Sequence, residues 1–188
     1  RRGYTVSLAT TSSMTLDGVR QAVIDVGGDA LDGLLLISPV VGVGYEDLVR
    51  VCGDVPFVQI DIELSAKVPS VVIDQRYGSQ LATQHLIDLG HRQIAEISGP
   101  LTWYGAQARH ESWRDTMLAA GLEPGPSVQG DWTARSGYEA ANELLSSGAQ
   151  FTALVVGNDQ MALGALAALR EHGLRVPDDV SVVGFDDV

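Results

Sequence analysis

Residues 153–188 constrain the fold more than any other part of the chain, because they spell out one strand–helix–strand unit. The apolar run Ala153-Leu154-Val155-Val156 turns through Gly157-Asn158-Asp159, and a helix is predicted over 160–172. A second apolar run, Val180-Ser181-Val182-Val183, ends at Gly184-Phe185-Asp186-Asp187. Short apolar runs without alternation suit a parallel sheet covered on both faces. Asp159 reads as the helix N-cap and Gly173 as its stop. In open α/β sheets ligands bind outside the carboxyl ends of the strands. Asn158 and Asp186 stand at those ends.

The same alternation runs through the rest of the 188 residues. Residues 4–9 read as a strand, 10–13 as a polar cap and 14–26 as a helix stopped by Gly27-Gly28. Strands follow at 34–37, 57–60 and 71–73, with a short helix over 45–51, and these deliver Ser38, Asp61 and Asp74 at strand exits. Leu81, His85, Leu86 and Leu89 share one face of the next helix, which Gly90 ends. A strand over 94–97 leads through Thr102-Trp103-Tyr104 into a helix carrying Arg109, Trp113 and Met117. An edge strand at 128–131 runs into Trp132, before a helix over 134–147 with Ala141, Leu144 and Leu145 on one face. About eight strands in two groups, joined near 74–78, imply parallel sheets with right-handed crossovers in two lobes.

Composition narrows the possible partners. A formal net charge of −12 with no basic run argues against direct contact with nucleic acid or an anionic membrane. The single cysteine, Cys52, has no internal disulfide partner, as suits a reducing compartment. No apolar run approaches the length of a membrane span. Both ends read as cut, since the chain opens without Met and closes just after a strand.

Motifs for cofactors are missing. Gly42-Val43-Gly44 approaches a dinucleotide fingerprint, but Asp47 stands in place of the third glycine. His85, His91, His110 and His172 have no metal-ligand spacing, so neither metal nor cofactor is expected. Asp61, Asp74, Arg109, Trp132, Asn158 and Asp186 instead resemble a sugar-binding set. Carboxylates, amides and guanidinium grip hydroxyls, and aromatic faces cover apolar patches. Each also has a plainer reading. The aspartates cap turns, Asn158 caps its helix, Arg109 pairs with Asp186, and Trp132 packs at the rim. Their recurrence at successive strand exits favours binding.

Gly90-His91-Arg92-Gln93-Ile94, Ile97-Ser98-Gly99-Pro100, Gly130-Asp131-Trp132, 158–164 (Asn-Asp-Gln-Met-Ala-Leu-Gly) and 176–187 (Val-Pro-Asp-Asp-Val-Ser-Val-Val-Gly-Phe-Asp-Asp) carry a wider likeness. In that order they resemble the effector-binding domain of the LacI/GalR family of bacterial transcription regulators. The resemblance runs from about residue 4 to the end and is strongest after Asp74. It implies an α/β fold of the type I periplasmic-binding-protein kind: two doubly wound parallel-sheet lobes, 1–74 and 75–188, with a ligand cleft between them. A helix-turn-helix headpiece would precede this chain, and further strands would follow it.

By that resemblance Arg109 grips effector hydroxyls or a carboxylate, Asn158 and Asp186 form a hydrogen-bonding pair, and Trp132 stacks on the ligand. Asp61 supplies a first-lobe contact, and Asp74 sits at the lobe crossover, where contact and hinge roles are both open. Trp103 and Tyr104 occupy the variable ligand loop, where two aromatics suggest a stacked sugar ring. The family are homodimers, and Leu163 matches a position in their interface; burial against its own sheet is the alternative. The expected function is therefore effector sensing in a cytoplasmic repressor rather than catalysis. The effector is a sugar or, second, a purine, and operator DNA is met only through the headpiece. A secreted sugar-binding protein of a transporter is the alternative, and a nucleotide-cofactor enzyme comes third.

Overall fold

The computed structural model describes residues 3, 5–11, 15–27, 30–37, 44–61 and 68–188. The chain divides into two compact units, residues 1–73 and 74–188.

In the first unit, α1 (Leu16–Asp25) precedes β1 (Leu34–Ile37), α2 (Tyr45–Cys52), β2 (Phe57–Ile60) and β3 (Ser70–Val71). The strands form a parallel sheet in the order β1-β2-β3. Leu36 turns inward to Val19 and Val23 of α1 and to Leu48 and Cys52 of α2. Burial pushes the Cys52 thiol pKa up. The expected helix begins at Leu16, because Thr15 caps it by accepting from Gly18 N, whereas 12–14 lie outside the described residues.

Two strand expectations fail here. Residues 5–9 form no strand, and Val6 and Leu8 are about nine-tenths exposed. A strand needs a neighbour for its backbone groups, and no described segment supplies one there. The strand expected at 71–73 is only Ser70–Val71, with Ile73 exposed. Ser38 lies outside the described residues.

The second unit is built as α3 (Gln75–Asp88), β4 (Ile94–Ser98), α4 (Tyr104–Ala119), β5 (Ser127–Gln129), α5 (Ala134–Ser146), β6 (Ala153–Val156), α6 (Asp159–Glu171) and β7 (Ser181–Val183). Its sheet is wholly parallel in the order β5-β4-β6-β7. Every residue of β4 and β6 is buried, as suits central strands of a sheet covered on both faces, and β4 takes Glu96 and Ser98 inside with it. Ala95, Ile97, Leu154 and Val156 pack on α5 and α6, while Ile94, Ala153 and Val155 meet Leu86 and Ile87 of α3 and Trp113 and Met117 of α4.

The Gly90-His91-Arg92 sequence acts as a staple. The His91 ring lies 2.8 Å from Thr152 Oγ1 and 3.1 Å from Ser181 Oγ, tying together the starts of β6 and β7. Arg92 Nη1 donates to the Ile87 carbonyl at the end of α3. Gly90, at φ +97°, supplies the left-handed turn that ends α3.

Helix α3 buries a different face from the one its leucines suggest. Gln75, Ser79, Thr83, Leu86 and Ile87 are buried, whereas Leu81, His85 and Leu89 are exposed. The helix packs on α4 through small hydroxyl side chains. Ser79 Oγ donates to the Arg109 carbonyl at 2.7 Å, and Ser112 Oγ donates to the Arg76 carbonyl at 2.6 Å. Arg76 closes the seam from outside by pairing with Glu111 at 2.8 Å and Asp115 at 2.7 Å.

Candidate functional site

The second unit gathers its polar strand exits around the Arg109 guanidinium. Arg109 rises from α4 with its side chain only 14% exposed, and its donors are directed to three elements. Nε donates to Gln75 Oε1 at 2.7 Å, and Nη1 donates to the Gly157 carbonyl after β6. Nη2 lies 3.5 Å from Asp186 Oδ1 after β7. The Phe185 ring sits 3.6 Å from the guanidinium carbon, and the Trp132 ring sits 5.8 Å from it. A cation between two aromatic faces gains from their negative quadrupoles. A cavity of about 470 Å³ opens beside this cluster, lined by Gly78 and Ala82 of α3 and by Asp159, Gly184, Phe185 and Asp186.

Trp132 is held by a loop that its own sequence builds. Asp131 Oδ1 accepts from the Thr133 amide at 3.0 Å and from the Thr133 hydroxyl at 2.5 Å, while Ser136 Oγ accepts from the Asp131 amide. Hydrogen bonding by Ser136 and then Thr133 lowers the Asp131 carboxyl pKa to about 2. The turn leaves Trp132 at φ +77° and lays its ring over Gly99, where a Cβ would meet the indole at 2.2 Å. Only glycine fits beneath that ring. Trp103, the residue before α4, meets Trp132 edge-on with ring centroids 5.8 Å apart.

Asn158, not Asp159, is the N-cap of α6. Its Oδ1 accepts from Met161 N at 2.9 Å, and its Nδ2 donates to the Trp132 carbonyl at 3.1 Å. Both ends of the amide are therefore engaged, and the residue is 8% exposed. Asp159 serves the other side instead: its Oδ2 accepts from Val188 N, and its backbone N donates to the Phe185 carbonyl. Gly184 lies so close that a Cβ there would meet Asp159 Oδ1 at 2.1 Å.

Backbone strain marks Trp132 and Asp186 among these residues. The non-glycine residues with positive φ among the described ones are Asp61 at +59°, Trp132 at +77°, Asp186 at +108° and Asp187 at +63°. L-residues pay roughly 1–3 kcal/mol for such conformations, which concentrate at functional sites.

Of the residues expected from sequence, the structure brings Trp103, Arg109, Trp132, Asn158 and Asp186 into this one cluster. Asp74 is an exposed N-cap whose Oδ1 accepts from Tyr77 N at 2.9 Å, so its carboxylate is engaged in starting α3. Asp61 belongs to the first unit, where its backbone N donates to the Val71 carbonyl. Leu163 is 65% exposed on α6, so burial against its own sheet is ruled out. Sequence reading missed Gln75, Phe185 and the Gly157 carbonyl. The first two carry no spacing signal because their partner is distant in the chain, and a backbone carbonyl has no residue-type signature. No group of three or more potential metal-ligating side chains exists among the described residues. No helix among them is long and apolar enough to cross a membrane.

Comparison with known proteins agrees with this fold. Residues 83–188 match the periplasmic binding protein-like domain family. The chain is 33% identical to the lactose operon repressor of Escherichia coli over 98% of its length and 51% of that protein's. It is 36% identical to the transcriptional repressor PurR of Haemophilus influenzae over its whole length and 56% of that protein's. The chain thus spans about half the length of these relatives. A Lac repressor dimer bound to operator and an anti-inducer superposes with a TM-score of 0.89 at 33% identity, covering 98% of this chain and 64% of that one. The transcriptional regulator CelR in complex with cellobiose gives 0.79 at 36% identity, covering 91% and 54%. The chain therefore belongs to the periplasmic binding protein-like domain family and corresponds, within it, to the effector-binding domain of the LacI-type regulators.

Proposed function

We propose that this domain binds a small, hydroxyl-rich effector, a sugar before a purine, at the carboxyl ends of its strands, and that binding alters the DNA affinity of a headpiece on a longer regulator. The observation that carries the reading is the Arg109 guanidinium, set between Phe185 and Trp132 and facing Asp186, at the carboxyl ends of the strands. In open α/β sheets that edge is where ligands sit. Arg109 and Asp186 offer donor and acceptor to adjacent hydroxyls, while Trp132 and Trp103 cover the apolar face of a ring. The relatives' names point the same way, since they include the lactose operon repressor, the repressor PurR and a regulator in complex with cellobiose.

Asn158 contributes by holding the Trp132 loop as well as by position. Asp61 supplies a polar contact from the first unit, and Asp74, whose carboxylate starts α3, keeps both a contact and a hinge role open. Leu163 lies in a homodimer interface. This regulator works in the cytoplasm, is not an enzyme, and needs no cofactor. The repressor relatives favour it over a secreted sugar-binding protein.

The reading is tested by calorimetry with lactose, cellobiose and hypoxanthine on wild type and Arg109→Ala. At least one probe should bind wild type and lose at least about a hundredfold in affinity in the variant, as expected when a charged hydrogen-bonding group is removed. Equal affinity of both proteins for the bound probe, or no binding of any probe to wild type, would overturn it.

A further inference from the structure

We infer that Gln75 is the positioning residue that sets the Arg109 guanidinium for its ligand, a role resting on the reading that Arg109 contacts the effector. Gln75 is the first residue of α3 and is 1% exposed. An amide buried that deeply needs hydrogen-bond partners, and its Oε1 accepts from Arg109 Nε at 2.7 Å. One turn later, Ser79 Oγ donates to the Arg109 backbone carbonyl at 2.7 Å. Residues four apart share a helix face, so one stripe of α3 holds Arg109 at both its main chain and its side chain.

The contact to Nε has a particular consequence. A guanidinium is a planar fork whose recognition depends on where that plane points. Rotation about the Cδ–Nε bond would swing both Nη groups away from Asp186 and the Gly157 carbonyl. Gln75 blocks that rotation from the edge, and Phe185, stacked at 3.6 Å, blocks it from the face.

Gln75 also stands at the start of the second unit. It follows Asp74, the first residue of the second unit, and lies four residues after Val71, the last residue of β3.

Three substitutions separate positioning from packing. Gln75→Met keeps the volume and removes the acceptor; Gln75→Glu keeps the acceptor and the shape; Gln75→Ala removes both. With lactose, cellobiose and hypoxanthine as probes, Gln75→Met should weaken binding by about tenfold or more, the loss expected for one hydrogen bond to a charged group. Its melting temperature should stay near that of wild type. Gln75→Glu should recover affinity to within about threefold. Wild-type affinity in Gln75→Met, or failure of Gln75→Glu to recover, overturns the inference.

A ligand-free measurement guards against variants that fail to fold and against an unresponsive probe set. In ¹⁵N-arginine-labelled wild type, the Arg109 Nε proton should exchange at least about tenfold more slowly than that of Arg20, whose side chain is 53% exposed. Gln75→Glu should retain that protection. Exchange as fast as at Arg20 defeats the inference without touching the effector reading. Undiminished probe binding in Arg109→Ala defeats the effector reading instead.

Discussion

The Asn158 amide joins a helix start to a ligand-loop aromatic: Oδ1 caps α6 at Met161 N, and Nδ2 holds the Trp132 carbonyl 26 residues away. One side chain thereby fixes both the direction in which α6 leaves the sheet and the place where Trp132 lies over Gly99. The two jobs use different atoms and are separable by substitution.

Asn158→Ala removes the cap and the loop tie together and should cost about 1–2 kcal/mol in denaturant unfolding. Asn158→Asp keeps a capping oxygen but sets its other oxygen against the Trp132 carbonyl. It should lose less of the helix cap while shifting tryptophan emission to the red, as the Trp132 loop loosens. Emission unchanged from wild type in Asn158→Asp would refute the loop tie.

Gly99→Ala should disturb Trp132 without touching the sheet. The added Cβ would meet the indole at 2.2 Å, too close for either atom to stay in place. Displacing the ring should cost about 1–3 kcal/mol, as overpacking does elsewhere. Near-ultraviolet circular dichroism should lose its tryptophan signal while the far-ultraviolet spectrum stays unchanged. A fully wild-type near-ultraviolet spectrum would show that the ring does not rest there.

His110 makes stability depend on pH. Its Nδ1 lies 2.6 Å from the carboxylate of Glu96, which is buried in β4 and also accepts from Ser127 Oγ at 2.6 Å. The hydrogen bond to Glu96 raises the His110 pKa above its ordinary 6.5; burial opposes the rise, and of the neighbouring charges Glu96 and Glu111 add to it while Arg114 opposes it. A raised folded-state pKa means the contribution is complete below pH 6.5 and is lost as pH climbs through the raised value. Thermal melts from pH 5 to 9 should show that decline in wild type and a flatter profile in His110→Phe. An equal slope in both proteins excludes His110 as the source.

Leu163→Asp should leave the folded chain as stable as wild type, within about 0.5 kcal/mol, because the side chain is exposed. In a full-length regulator containing this chain, the proposed interface role predicts that the same change shifts sedimentation from dimer towards monomer, because a carboxylate would then be buried between subunits. A dimer of undiminished affinity removes Leu163 from that interface.

Residues near one another in sequence were readable in advance. The strands over 94–97 and 153–156, the glycine stops at Gly90 and Gly173, and the polar residues after each strand all follow from local patterns. Local patterns also misled where two neighbours were chemically alike. Asp159 looked as good a cap as Asn158, but only an amide both accepts from Met161 N and donates to the Trp132 carbonyl. Leu81 and Leu89 looked like core, but α3 meets α4 through Ser79 and Ser112, whose small side chains let the helices approach. The strand expected at 4–9 had the right residues and no described neighbour to pair with.

The sequence by itself determined the α/β alternation, the parallel sheets and the set of polar strand exits, because propensity, capping and hydrophobic period act within a few residues. Only the tertiary structure decided how those exits combine around Arg109. Its Gln75 partner lies 34 residues before it and Asp186 lies 77 after it, and no periodicity spans such distances. The packing of α3 and α4 on one sheet face brings the first into reach, and the β4-β6-β7 order brings the second. A guanidinium's direction is a property of that packing, which is why the residue that aims it left no mark in the sequence.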